Sequence, residues 1–168
     1  MNVQGLVPQT VQSKVPFIRD TIVPEKQLFI GLSETWLRSH KQAELDIDGY
    51  TIFRCDSSRN KKSNCGRFTG GVAIYLCDDI AITSEILLSY STNSIQLLCP
   101  YSKSENLVIA TLYRQPNDKA HGNPSNSGDL KIALARLNTA ILEITPTPDI
   151  ILGGGVNVPH VNRPEGIP

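Results

Sequence analysis

The chain has 168 residues, enough for one ordinary domain and too few for two. Sixteen basic residues cancel sixteen acidic ones, which excludes a global field drawing the chain onto nucleic acid, so any such contact has to come from local clustering. A hydrophobic share of 40% suffices for a packed core and excludes general disorder.

The start, Met1-Asn2-Val3-Gln4-Gly5, has neither a basic region nor an apolar stretch of the secretory kind, and no signal peptide is expected. Asn2 to Leu6 reads as a short strand entering a turn. Val11, Val15, Ile18 and Ile22 recur at helical spacing, with Pro16 marking where the regular helix begins and Pro24 where it stops. Leu28 to Leu32 is a compact apolar run, expected as a strand buried on both faces. Tyr50 to Arg54 alternates like a half-buried strand, and a polar loop runs from Asp56 to Gly71. Val72 to Leu76, Ile80 to Leu88, Ser94 to Leu98 and Leu107 to Tyr113 are four further strands, joined by connections too short for crossovers and therefore antiparallel.

After a loop from Gln115 to Gly128 comes the clearest helix, with Leu130, Leu134, Leu137, Ile141 and Ile144 along one stripe. Ser127 is placed to cap it, and Pro146 and Pro148 lie just past its end. Asp149 to Gly153 is the last strand. The expected architecture is a layered α/β domain over residues 1–168, with helices near both ends of one mixed, mostly antiparallel sheet. A single sheet would leave its inner apolar face partly uncovered, giving poor stability and aggregation.

Cys55, Cys65, Cys77 and Cys99 are widely spaced, without a CxxC pair or a nearby His ladder. They read as free thiols in a reducing compartment rather than as a zinc or redox site. No apolar run approaches a membrane span, and the location expected is intracellular, nuclear or cytoplasmic.

Four stretches fall where strands give way to loops, the usual place for a site on such a scaffold. They are Asn2 to Leu6, Gly31-Leu32-Ser33-Glu34-Thr35-Trp36-Leu37, Leu112-Tyr113-Arg114-Gln115-Pro116, and Leu152-Gly153-Gly154-Gly155-Val156-Asn157-Val158-Pro159. In this order and spacing they resemble the motifs of the endonuclease/exonuclease/phosphatase (DNase I-like) superfamily. Asp46-Ile47-Asp48-Gly49-Tyr50 and Gly70 to Tyr75 resemble its LINE-type branch, from non-LTR retrotransposons. The likeness runs from Asn2 to about His160, and it implies the amino-terminal part of an α/β sandwich domain.

The resemblance also implies a chemistry: Mg²⁺-dependent hydrolysis of a DNA phosphodiester, with a reverse transcriptase region in a longer parent polyprotein as a further partner. A hard divalent cation that prefers carboxylate and amide oxygens stabilises the charge built up on the phosphate. Glu34 matches the family's metal-binding glutamate, and Asn2 the asparagine that helps position it. Tyr113 matches a tyrosine that contacts the scissile phosphate, and Asn157 an asparagine that orients nucleophile and phosphate. All four are expected at one end of the sheet. Taken singly, Glu34 also reads as a solvated loop carboxylate, Tyr113 as an aromatic closing the core, and Asn2 and Asn157 as turn formers.

The chain departs from the pattern where the family has Gly-Asp-Phe-Asn. Here Gly154-Gly155-Val156-Asn157 puts a glycine, Gly155, in place of the aspartate that orients the attacking water. Losing such a base removes roughly 10²–10⁴-fold in rate. The family's closing Ser-Asp-His motif is also missing, and His160 follows Asn157 too closely to replace it. Activity is therefore expected to be lost or weak. Arg54, Arg59, Lys61, Lys62 and Arg67 crowd a loop whose only acid is Asp56. With Arg114 they form the candidate nucleic-acid contacts, although such a run equally reads as a solvated loop. Two alternatives stand beside the nuclease: a nucleic-acid-binding remnant that does not cleave, and a fragment of a decayed mobile element with no role.

Overall fold

The computed structural model describes residues 1–6, 13–37, 44–56, 70–115 and 127–156. Strand β3 (Val72–Cys77) is apolar at every position, so it can be buried on both faces and sits at the centre of a three-stranded sheet. Strands β1 (Phe29–Ser33) and β2 (Tyr50–Cys55) flank it, both antiparallel, with Gly31 and Phe53 each opposite Ile74. A second sheet has the order β4 (Ser84–Ser91), β5 (Ile95–Ser102), β6 (Leu107–Arg114), β7 (Asp149–Val156). Its first three strands form an antiparallel meander. β7 lies parallel to β6, a pairing that needs a crossover, supplied here by helix α3 (Ser127–Leu142).

The two sheets pack face to face, so the single sheet expected from sequence is corrected to two. Val72, Ile74 and Leu76 from one sheet, and Leu98, Ile109 and Tyr113 from the other, form the apolar layer between them. The inner face expected to be partly uncovered is buried, with none of these six residues more than 3% exposed. Short helix α2 (Asp78–Ala81) stands where the chain leaves one sheet for the other. It replaces the first residues of the strand expected over 80–88: Asp78 and Asp79 favour a helix start, Ile80 anchors the turn, and Ile82 is 86% exposed. Hydrogen-bonded turns decide which strands share a sheet, and alternation along one strand does not carry that information.

Outside each sheet lies a helical layer. Helix α1 (Val15–Phe17) continues through a π turn at Ile18–Ile22 and a 3-10 turn at Val23–Glu25, so the helix passes Pro24 and ends on left-handed Lys26. Val15 and Ile18 pack on Ile30, Leu32 and Tyr75. On the other side Ala133, Leu137 and Ile141 of α3 cover Leu97, Cys99, Val108 and Leu112. The arrangement is a four-layer α/β sandwich with mostly antiparallel sheets. Among the described residues no helix is long and apolar enough to cross a membrane.

Burial pushes the Cys99 thiol up to about 12, and it raises Cys55 as well. A thiol held neutral in the fold but free to ionise when unfolded lends stability in full below the ordinary thiol range near pH 9. That contribution is lost as pH climbs from there towards 12. Urea titrations at about pH 8 and pH 10.5 should therefore show an alkaline loss that shrinks by about 2 kcal/mol in Cys99→Ala, from roughly 1.4 kcal/mol per pH unit. Equal alkaline losses in both proteins would contradict a buried neutral thiol.

Candidate functional site

The amino-terminal segment lies parallel along the end of β1. Ser33 N donates to Met1 O at 2.8 Å and Val3 N donates to Ser33 O at 3.0 Å, so Asn2 and Ser33 form a bridge. The strand expected over 2–6 reduces to that bridge. Gly5 N and Leu6 N then donate to Glu34 O and Thr35 O, at 2.7 and 2.8 Å. From the other side, Thr35 N and Trp36 N donate to Gly71 O and Gly70 O at 3.2 and 2.9 Å. Gly71 N in turn donates to the buried Gln96 side chain at 3.3 Å. The loop after β1 is thus clamped on both edges.

That clamp holds an uncommon backbone. Glu34 and Trp36 have φ of 57° and 55°, values that side chains other than glycine adopt only when their surroundings compel it. Gly5, at φ +90°, lies so close to the Trp36 ring that a Cβ would fall 2.5 Å from Cε3. A side chain at position 5 would push the indole, and the Glu34 turn with it. Glu34 itself is half-buried.

The facing sheet brings Tyr113 and Gly155, which are direct partners in the parallel β6–β7 ladder. Tyr113 is 3% exposed and lies in the layer between the sheets. A Cβ on Gly155 would stand 3.4 Å from Ser33 Oγ and 3.5 Å from Tyr113 Cδ2, in ordinary contact. So Ser33, bridged to Asn2 and followed by Glu34, stands beside Tyr113 and Gly155 of the other sheet at one end of the sandwich. Expectation had put them on a single sheet, and the structure instead sets them across the gap between two.

Asn2 is exposed, and its Oδ1 accepts from Gln4 N at 3.2 Å. Arg114 is only 9% exposed, next to Tyr113 at the end of β6. Arg54 pairs with Asp56, its Nε 2.8 Å from Oδ1. Arg59, Lys61, Lys62, Arg67 and Asn157 lie outside the described residues. Among the described residues no three His, Cys, Asp or Glu side chains gather as a metal cage. Sequence reasoning gave Ser33 no role, although it is 2% exposed and is the nearest side chain to Gly155. Its position before Glu34, at the inward end of an apolar strand, was the available signal.

No sequence-family model matches the chain, and neither does any curated protein. Solved structures do. An AP endonuclease from Leishmania major matches with a TM-score of 0.59 and 15% identity, over 91% of this chain and 52% of its own. A humanized D. rerio TDP2 gives 0.59 and 15%, over 95% and 61%. The mannosyl-6-phosphatase Bt3783 of Bacteroides thetaiotaomicron gives 0.51 and 14%, over 86% and 57%. At these identities the likeness is one of fold, shared by a nuclease and a phosphatase. The chain spans between half and two thirds of the length of these proteins.

Proposed function

We propose that the chain forms the amino-terminal part of a Mg²⁺-dependent DNA endonuclease domain of the non-LTR retrotransposon type, with phosphodiester hydrolysis weak or lost. The observation that carries this reading is the meeting of the Asn2–Ser33–Glu34 edge with Tyr113 and Gly155 across the sandwich, with space beside Gly155 that a side chain would fill.

The donors suit a hard cation. The half-buried Glu34 carboxylate and the exposed Asn2 amide are oxygen ligands of the kind Mg²⁺ accepts, and Mg²⁺ keeps several waters where a protein offers one or two ligands. When bound, the ion would neutralise charge on the phosphate. The protein's own part is positional. The clamp of backbone bonds on residues 34–36 fixes the main chain that carries the Glu34 carboxylate without needing substrate to order it. Tyr113, packed between the sheets, would serve by turning its phenol hydroxyl to a non-bridging oxygen at their end. Gly155 offers nothing to the attacking water, which is why the rate is expected to be low.

The test is nicking of supercoiled DNA with and without Mg²⁺. The chain should nick slowly and only with the metal, and Glu34→Ala should lower that rate by at least about 100-fold. Nicking that persists unchanged in Glu34→Ala would place the chemistry elsewhere.

A further inference from the structure

We propose that Gln96 is a positioning residue for the Glu34 turn, its side-chain amide tying that turn on one sheet to the hairpin turn at Thr92 on the other. The tie rests on hydrogen bonds, and its bearing on a cation rests on the reading of Glu34 given above.

Gln96 lies within β5 and is 2% exposed. Tyr113 is its ladder partner on β6, and Gly155 is the partner of Tyr113 on β7. Residues in one such row turn to the same face of a sheet, so Gln96 points with Tyr113 into the layer between the sheets. A carboxamide in that apolar layer costs stability unless both its ends are bonded, and a Met would fill the space without that cost. Here both ends are bonded. Oε1 accepts from Gly71 N at 3.3 Å, across the gap, and Nε2 donates to Thr92 O at 2.7 Å, on its own sheet. These partners also fix which end is which, since only the oxygen can meet an N–H and only the nitrogen a carbonyl.

The Thr92 end is anchored. Thr92 N donates to Ile95 O at 2.7 Å, and Thr92 Oγ1 donates to Asp129 Oδ2 in the first turn of α3 at 3.2 Å. Ser94 Oγ donates to the same carboxylate oxygen. The other end is a pair of buried glycines, Gly70 and Gly71, at φ +86° and +85°. Glycine enters that conformation without steric cost but does not enforce it, so a neighbour has to hold the bend. Gly70 O and Gly71 O are the acceptors for Trp36 N and Thr35 N. A shift at Gly71 therefore passes directly to residues 34–36, where the positive φ of Glu34 and Trp36 already needs support. Gln96 restrains that chain of contacts from the opposite sheet.

Gln96→Met keeps the length of the side chain and removes both bonds. Hydrogen exchange of the Thr35 and Trp36 amides, followed by NMR, should quicken by at least about tenfold on losing one buried hydrogen bond. Leu137→Ala, a cavity under α3 on the other face of the sheet, should lower the melting midpoint and leave those two amides unchanged. Gln96→Glu at about pH 5 should exchange as the unaltered chain does, because burial keeps a carboxyl neutral and a neutral carboxyl still has an acceptor and a donor. Trp36 is the chain's single tryptophan, two residues from Glu34, so its emission follows an Mg²⁺ titration. Glu34→Ala should abolish that response, and Gln96→Met should raise the half-saturating Mg²⁺ by about tenfold or more, as losing a residue that orients a ligand does. Unchanged exchange in Gln96→Met, or equal acceleration in Leu137→Ala, would overturn the tie. So would a Glu34-dependent Mg²⁺ response that Gln96→Met leaves unaltered, as far as positioning is concerned. If exchange quickens but no chain responds to Mg²⁺, the tie stands and the cation at Glu34 falls. Should Gln96→Met fail to fold, the Gly71 amide of the unaltered chain decides: protection at the level of β3 supports the tie, and free exchange refutes it.

Discussion

Gly154→Ala should destabilise the fold by at least about 3 kcal/mol, which for a chain of this size lowers the melting midpoint by roughly 10 °C. Gly155→Ala, one residue on, should change it by less than about 1 kcal/mol. The two glycines look alike in sequence and differ in surroundings. Gly154 has φ +134°, where side chains are strained, and a Cβ there would lie 1.8 Å from Leu112 O on the neighbouring strand. No rotamer change relieves an overlap with backbone, so β7 would have to leave β6. Gly155 has no such φ, and its Cβ would only touch Ser33 Oγ and Tyr113 Cδ2 at 3.4 and 3.5 Å. The check is a pair of thermal melts followed by circular dichroism. If Gly154→Ala melts with the unaltered chain, β7 does not run beside β6 as described.

That contrast makes Gly155→Asp a usable test of the proposed site, and the second large effect expected is on metal binding. The new carboxylate would start from a Cβ that fits, beside a Ser33 hydroxyl able to donate to it. With the Glu34 carboxylate at the same end of the sandwich, two like charges would share a small region, costing on the order of 1 kcal/mol without metal. A divalent cation reverses the sign. At Mg²⁺ about 100-fold above its dissociation constant, linkage adds about 2.7 kcal/mol to the folded state. Melts of Gly155→Asp with and without Mg²⁺ should thus separate by several degrees more than those of the unaltered chain. Adding Glu34→Ala should abolish most of the difference. Efficient nicking should not return, because groups that act as a unit contribute far less singly. A Gly155→Asp protein whose Mg²⁺ response is unaffected by Glu34→Ala would separate position 155 from the proposed site.

Sequence reasoning reached the strands, the long helix and the order of the four loop segments because each depends on short-range pattern. A run such as Val72–Cys77 is apolar at every position, and only a strand covered on both faces uses it well. The α3 stripe repeats at helical spacing for the same kind of reason. Asn2, Glu34, Tyr113 and Gly155 could be singled out because they stand where those patterns stop. The antiparallel β4–β5–β6 meander was legible from its short connections, but that β3 pairs in another sheet and β7 parallel to β6 was not, since those pairings are long-range choices made at α2 and α3.

The chain by itself determined most element types, the apolar faces and the glycine at position 155, all fixed by residue identity and spacing. The tertiary structure alone decided that there are two sheets, that Ser33 of one stands beside Tyr113 and Gly155 of the other, and that Ser33 is buried there. It also decided that position 154 excludes any side chain while position 155 admits one. The reason is distance: a Cβ clashes or fits according to atoms contributed by a different strand, and no local pattern in Gly153-Gly154-Gly155 encodes where Leu112 or Ser33 will stand.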